Sequence, residues 1–129
     1  MNIREAERLT GIASKTLRYY EDIGLVEPRR KQNGYRDYSH DEVERLRFLR
    51  RARDLGFSIE DCRSLLALWV DNGRTSADVK SIAAQHLLSV EAKLRELNGL
   101  HQTLTRLVTA CVGSQSPECP ILRDLAGTA

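Results

Sequence analysis

Two cysteines near the end of this 129-residue chain have the type and spacing for chemistry. Cys111 and Cys119 flank the stretch Val112-Gly113-Ser114-Gln115-Ser116-Pro117-Glu118, and Pro120 follows the second thiol directly. Proline is favoured in the first turn of a helix, and Ile121-Leu122-Arg123-Asp124-Leu125 can continue one. The two thiols therefore border a loop, with Cys119 at a helix N-terminus. That position favours thiolate over thiol and favours an anionic complex. The third cysteine, Cys62, lies one turn before Leu65 and Leu66 in an amphipathic stretch and reads as a small buried hydrophobe. The closest histidine is His101, about three helical turns before Cys111. Two thiolates without further ligands suit a soft monovalent ion held in a line, such as Cu(I), with Ag(I) and Au(I) chemically alike. Zn(II) normally takes a full tetrahedral set, and an iron–sulfur cluster needs more clustered thiolates than are present. Two incidental thiols, or a redox pair closing a regulatory disulfide, are the alternatives.

The element that must position this loop is the stretch 76–111. Its apolar residues form a heptad seam, with Ala83, Val90, Leu97, Leu104 and Cys111 in one row and Leu87, Leu94, His101 and Val108 in the other. Lys93, Arg95, Glu96, Asn98, Gln102 and Arg106 fill the positions between. Sustained spacing of this kind predicts a long helix with one sticky edge. At about 1.5 Å per residue it spans on the order of 50 Å, too long to be buried by so small a chain. An identical chain is the simplest partner. His101 reads as a packed or hydrogen-bonded seam residue, and His40 and His86 as surface positions.

Composition sets the class. The chain has 41% hydrophobic and 29% charged residues, ordinary for a helix-rich soluble protein. No apolar run reaches membrane-spanning length, and Met1-Asn2-Ile3-Arg4 does not open a signal peptide, so a cytoplasmic protein with no membrane partner is expected. The net charge of +2 hides an asymmetry, because residues 29–53 hold 9 basic against 4 acidic side chains. Such a cluster predicts an anion-binding face.

The N-terminal half supplies that face. Ile3, Ala6 and Leu9 predict a short amphipathic helix stopped at Gly11, and Ser14 is expected to cap a second helix running through Leu17-Arg18-Tyr19-Tyr20-Glu21 towards Gly24. Two short helices joined by a tight glycine turn form a helix-turn-helix pattern, with Lys15, Thr16, Arg18 and Tyr19 at the end such a motif inserts into the major groove. Asn33-Gly34 is a hairpin-turn signal between arms that carry Arg29, Arg30 and Lys31 on one side and Tyr35, Arg36 and Tyr38 on the other. A small wing rich in Arg and Tyr suits phosphate contact. Ser39 with Glu42 predicts a capped third helix that buries Val43, Leu46, Leu49 and Ala52 and turns Arg45, Arg47, Arg50, Arg51 and Arg53 outward until Gly56. Ser58 caps a fourth with Leu65, Leu66, Leu68 and Trp69 as its apolar face, closed by Asp71-Asn72-Gly73.

Four of these runs, Leu17-Arg18-Tyr19-Tyr20-Glu21, Gly24-Leu25-Val26, Asn33-Gly34-Tyr35-Arg36-Asp37-Tyr38 and Leu55-Gly56-Phe57-Ser58, together resemble the MerR family of bacterial transcription regulators across essentially the whole chain. The resemblance implies a mostly α fold with three parts. The first is a winged helix-turn-helix DNA-binding domain over 1–72, with the helix-turn-helix at 3–23, the wing at 28–38 and second-wing helices at 39–72. A dimerisation helix at 76–111 follows, forming an antiparallel coiled coil. Last comes a metal-binding loop with a short C-terminal helix over 111–129. It implies DNA contacts at Lys15, Thr16, Arg18, Tyr19, Tyr35, Arg36 and Arg53. Antiparallel pairing would bring Ser76 and Lys80 of one subunit towards the thiol loop of the other. Ser76-Ala77-Asp78-Val79-Lys80 and the Cys111 to Pro120 spacing are similar to the CueR/HmrR-like copper-efflux branch. Relatives that sense divalent zinc or mercury carry a cysteine at the position of Ser76, a ligand this chain lacks.

The expected protein is thus a homodimeric, Cu(I)-responsive activator that distorts promoter DNA for RNA polymerase. Its rivals are the same fold tuned to Zn(II) or another divalent ion, a thiol-redox regulator, a small-molecule-binding regulator, and a copper-carrying thiol protein. A small-molecule regulator would need a larger C-terminal pocket domain. No catalytic constellation is visible, so no enzyme is expected.

Overall fold

A computed structural model describes residues 1–71 and 73–127. Asn72, at the expected close of the fourth helix, and Thr128 and Ala129 lie outside the described residues. The chain forms two compact units, the first ending at Ala83 and the second beginning at Ala84.

In the first unit, α1 (Ile3–Thr10) and α2 (Ser14–Asp22) build the helix-turn-helix. Asn2 caps α1 by accepting a 2.9 Å hydrogen bond from the Glu5 N–H. Gly11 ends the helix at φ 72°, in the left-handed region, and its N–H donates to the Glu7 carbonyl. The expected capping role of Ser14 does not hold. Ser14 is already the first residue of α2, Ala13 occupies the cap without a side-chain bond, and the Ser14 hydroxyl donates instead to the Glu7 carboxylate of α1. The polar side chain is spent on tying the two helices together, and the turn, held by the Gly11 conformation, sets where α2 begins.

The wing is a two-stranded antiparallel ribbon, β1 (Arg29–Arg30) and β2 (Arg36–Asp37), with Arg30 opposite Arg36. Its turn differs from the two-residue form that Asn-Gly favours. No described non-glycine residue has positive φ, so Asn33 cannot occupy the left-handed position a type I′ turn demands. Instead the Gly34 N–H donates to the Lys31 carbonyl, the Lys31 N–H donates to the Tyr35 carbonyl, and Gly34 alone takes φ 82°. This is a three-residue loop with a glycine bulge. The N-terminus pairs alongside β2, where the Tyr38 N–H donates to the Met1 carbonyl and the Met1 amino group donates to the Tyr38 carbonyl and to Asp37.

Helices α3 (His40–Asp54) and α4 (Ile59–Val70) complete the unit, and both serine caps hold, with Ser39 accepting from the Glu42 N–H and Ser58 from the Asp61 N–H. Ala6, Leu17, Tyr20, Leu25, Val26, Tyr38, Leu46, Leu49, Cys62 and Leu66 form one core. Cys62 is fully buried, and that burial raises its thiol pKa. Trp69 is not a core residue as its spacing had it, since it is 41% exposed and stacks on Phe48 at 4.6 Å.

The outward arginines of α3 are less free than the periodicity implied. Arg47 donates to the Leu9 carbonyl and Arg50 to the Thr10 carbonyl, so both satisfy the open C-terminal end of α1, and Arg53 donates to the Phe57 carbonyl. Arg63 of α4 does the same for α2 at the Ile23 carbonyl, at 2.6 Å. A cation against the last carbonyls of a helix is stabilised by the macrodipole as well as by the hydrogen bond.

Helix α5 (Ser76–Ala110) runs on into the second unit, and α6 (Pro120–Leu125) closes the described chain. Thr75 caps α5 through its hydroxyl to the Asp78 N–H. None of the 35 residues of α5 is buried. Leu87, Leu94, Leu97, Leu104 and Val108 of the seam are each more than half exposed, and Leu88 and Leu100 widen the apolar surface beyond it.

The Gly11 turn gives a direct test. A Cβ at Gly11 would stand 1.6 Å from the Arg50 guanidinium, so the side chain must leave the Thr10 carbonyl, and positive φ is strained for any L-residue. Gly11→Ala is expected to destabilise the first unit by about 1–3 kcal/mol, read as a lower urea midpoint with an unchanged m-value.

Candidate functional site

Of the residues singled out for DNA, all except Arg53 of α3 fall on two elements that the fold brings together, α2 and the wing. On α2, Leu17 and Tyr20 point into the core, which leaves Lys15, Arg18 and Tyr19 exposed on the opposite face at helical spacing. Thr16 is half-buried between them. On the wing, Tyr35 is 70% exposed at the turn. A groove of about 450 Å³ runs between α2 and the wing, and Arg18, Arg30, Lys31, Tyr35 and Arg36 line it. Cations and a phenol around one groove, beside an exposed helix face, form a surface suited to a phosphate backbone. Arg53 sits apart from this groove, its guanidinium on the Phe57 carbonyl and within reach of the Tyr20 hydroxyl.

Sequence reasoning missed what holds the two elements in place. The Glu21 carboxylate, only 18% exposed, pairs through Oε1 with Arg30 Nη2 at 2.9 Å and through Oε2 with Arg36 Nε. That contact holds the Arg36 guanidinium even more firmly protonated. The available signal was a carboxylate at the end of α2 followed closely by an arginine-rich hairpin.

The second candidate site is the loop after α5. Cys111 and Cys119 are half-buried, and the Cys111 thiol is close enough to Cys119 to influence its ionisation. Cys119 is the residue before α6, with Pro120 at the first helical position as expected. The N–H groups of Leu122 first and Ile121 second turn towards its sulfur without forming a cap of ordinary geometry, and with Cys111 and Arg123 they hold the Cys119 thiol below the usual range. Among the described residues no group of three or more His, Cys, Asp and Glu side chains is placed to hold a metal. His101 is exposed on α5. Ser76 opens α5 and Lys80 follows one turn later, both exposed beside Arg74. No helix among the described residues is long and apolar enough to cross a membrane.

Comparison with known proteins agrees with this arrangement. Residues 1–69 match the model of the MerR helix-turn-helix regulatory proteins, and residues 43–107 match that of the MerR DNA-binding region. The chain belongs to the MerR family. A relative across nearly its whole length is the helix-turn-helix transcriptional regulator HmrR of Rhizobium leguminosarum bv. viciae, 56% identical over 126 residues and covering 98% of each chain. The regulator CueR of Yersinia pestis is 41% identical over 128 residues, covering 98% of this chain and 92% of its own. Among solved structures, the transcription regulator PbrR691 of Ralstonia metallidurans CH34, in complex with lead(II), superposes with a TM-score of 0.81 at 32% identity, covering 97% of this chain and 98% of that one. This chain is therefore a helix-turn-helix transcription regulator of mostly helical fold.

The lowered Cys119 pKa has a readable consequence. Its thiolate persists to lower pH in the folded chain than in the unfolded one, so its iodoacetamide reaction, followed by peptide mass, should rise at lower pH than in urea. Cys111→Ala should move that rise part of the way back, and Cys62 should react only on unfolding.

Proposed function

We propose that this MerR-family chain is a homodimeric transcription activator that responds to Cu(I), and to Ag(I) or Au(I) by the same chemistry, through Cys111 and Cys119. The observation that carries the reading is the pair of neighbouring thiols, with no third ligand beside them among the described residues and one of them at a helix N-terminus. That donor set fits a soft two-coordinate ion. The bound ion supplies two strong thiolate bonds that fasten the two ends of the loop. Two thiolates and one monovalent cation leave a single net negative charge, which the N–H groups at the start of α6 and Arg123 offset from within the loop. Ser76 and Lys80 of the second copy are the further residues assigned to its surroundings, Lys80 as a compensating cation.

The dimer is supported by the unburied apolar edge of α5. Lys15, Thr16, Arg18, Tyr19, Tyr35, Arg36 and Arg53 are the assigned contacts to promoter DNA, where RNA polymerase is the further partner, in the cytoplasm. Activation requires that the loaded loop favour one DNA-bound conformation over another rather than merely tighten binding. The loop 111–119 and α6 are the elements whose order the metal sets. The relatives named HmrR and CueR support the branch.

A divalent ion is the second reading, favoured by the lead(II)-bound relative. Against it stand Ser76, where a third thiolate is absent, and the lack of a larger ligand cluster among the described residues.

In a purified transcription assay on the cognate promoter, Cys111→Ser and Cys119→Ser should each abolish copper-dependent activation while leaving DNA binding intact. Full activation of either variant by copper would overturn the two-thiolate reading.

A further inference from the structure

The carboxylate of Glu21 lies on the side of the molecule that must meet a polyanion. An acid there weakens phosphate binding, so its presence calls for a reason. Glu21 is the penultimate residue of α2, and it bonds two arginines that belong to opposite strands of the wing. Arg30 and Arg36 face each other across the ribbon, so one carboxylate closes a bridge over both strands. The guanidinium of Arg30 makes two contacts, with Nη2 on Glu21 and Nη1 on the Gly34 carbonyl at 3.2 Å. Arg30 therefore pins the turn that presents Tyr35. Arg36 meets Glu21 through Nε, and its two Nη groups remain for another acceptor. Beneath the bridge lies Tyr38, almost wholly buried, with no hydrogen-bond partner for its hydroxyl among the described residues. Tyr38 packs the base of the ribbon without bonding it to α2, so the side-chain link from α2 to both strands is Glu21, beside the pairing of Met1 with β2.

We propose that Glu21 is a positioning residue for DNA recognition, fixing the wing at a set distance from α2 and removing one positive charge from the groove, so that it raises operator selectivity at the expense of affinity. A wing fixed relative to the helix can meet the backbone only when α2 is seated in register in the groove. A wing with its arginines released meets any phosphate. Selectivity then falls because non-specific binding gains more than operator binding. This rests on the assignment of the α2 and wing surface to DNA.

The test uses the full chain and a duplex selected by the wild-type protein from a random-sequence pool, compared with a scrambled duplex of equal length over a range of salt. In Glu21→Gln, non-specific affinity should rise, the salt dependence should steepen by about one ion, and the operator-to-scrambled ratio should fall by about tenfold. Arg30→Gln removes one arm of the bridge together with the contact to the turn and leaves Glu21 on Arg36, so its ratio should fall by less, through weaker operator binding with no gain on scrambled DNA. A folded Glu21→Gln that keeps the wild-type ratio and slope overturns the proposal. Should that variant melt below the assay temperature, an unchanged ratio in Arg30→Gln overturns it equally. Failure of the wild-type chain to select any duplex would instead sink the DNA assignment of the surface, and the proposal with it.

Discussion

The long helix α5 has an apolar edge that none of its own residues buries, and the rest of the molecule depends on how that edge is covered. Each Leu or Val taken fully from water stabilises by about 1.5–3 kcal/mol. Leu87, Leu94, Leu97, Leu104 and Val108 together therefore outweigh the cost of about 1 kcal/mol that Gly99 imposes within the helix. The seam is strong enough to define an assembly, and a second copy offers the same seam in return. That seam supports the proposed homodimer.

The N-terminal unit solves a different problem, that of using many arginines without a repulsive surface. Arg47, Arg50 and Arg63 are spent on carbonyls at the ends of α1 and α2, where a cation is favoured by both the hydrogen bond and the helix dipole. Arg30 is spent on Glu21 and the wing turn. Lys15, Arg18 and Lys31 with Tyr35 stay exposed along α2 and the groove, while Arg4, Arg8, Arg29 and Arg51 are exposed elsewhere on the unit. The carbonyl contacts fix these guanidinium groups in place without removing their charge, and Glu21 is the carboxylate that offsets charge beside the groove.

Much of this was legible in the sequence because it rests on local rules. Ser39 and Ser58 cap where their spacing says, Pro120 opens α6, and the heptads of 76–111 give α5 nearly to the residue. Cys111 and Cys119 stand at the two ends of the loop between α5 and α6, where their spacing puts them. What was not legible depended on partners distant in the chain. Ser14 has the side chain of a cap, but Glu7 competes for its hydroxyl. Asn33-Gly34 has the chemistry of a two-residue turn, but the strands run only to Arg30 and from Arg36, which leaves a longer loop. Arg53 looked free on its helix until the Phe57 carbonyl claimed it. Glu21 stood in plain view, yet its role appears only when the wing folds back to α2.

The central claim is that two thiolates alone form the metal site. Its most direct test is X-ray absorption at the copper edge of the reduced dimer loaded anaerobically with one Cu(I) per subunit, in competition with Zn(II). Two-coordinate sulfur ligation, retained in the presence of excess zinc, is the expected result. A site with nitrogen or additional sulfur ligands, or one from which zinc displaces copper, would contradict it and point to ligands outside Cys111 and Cys119.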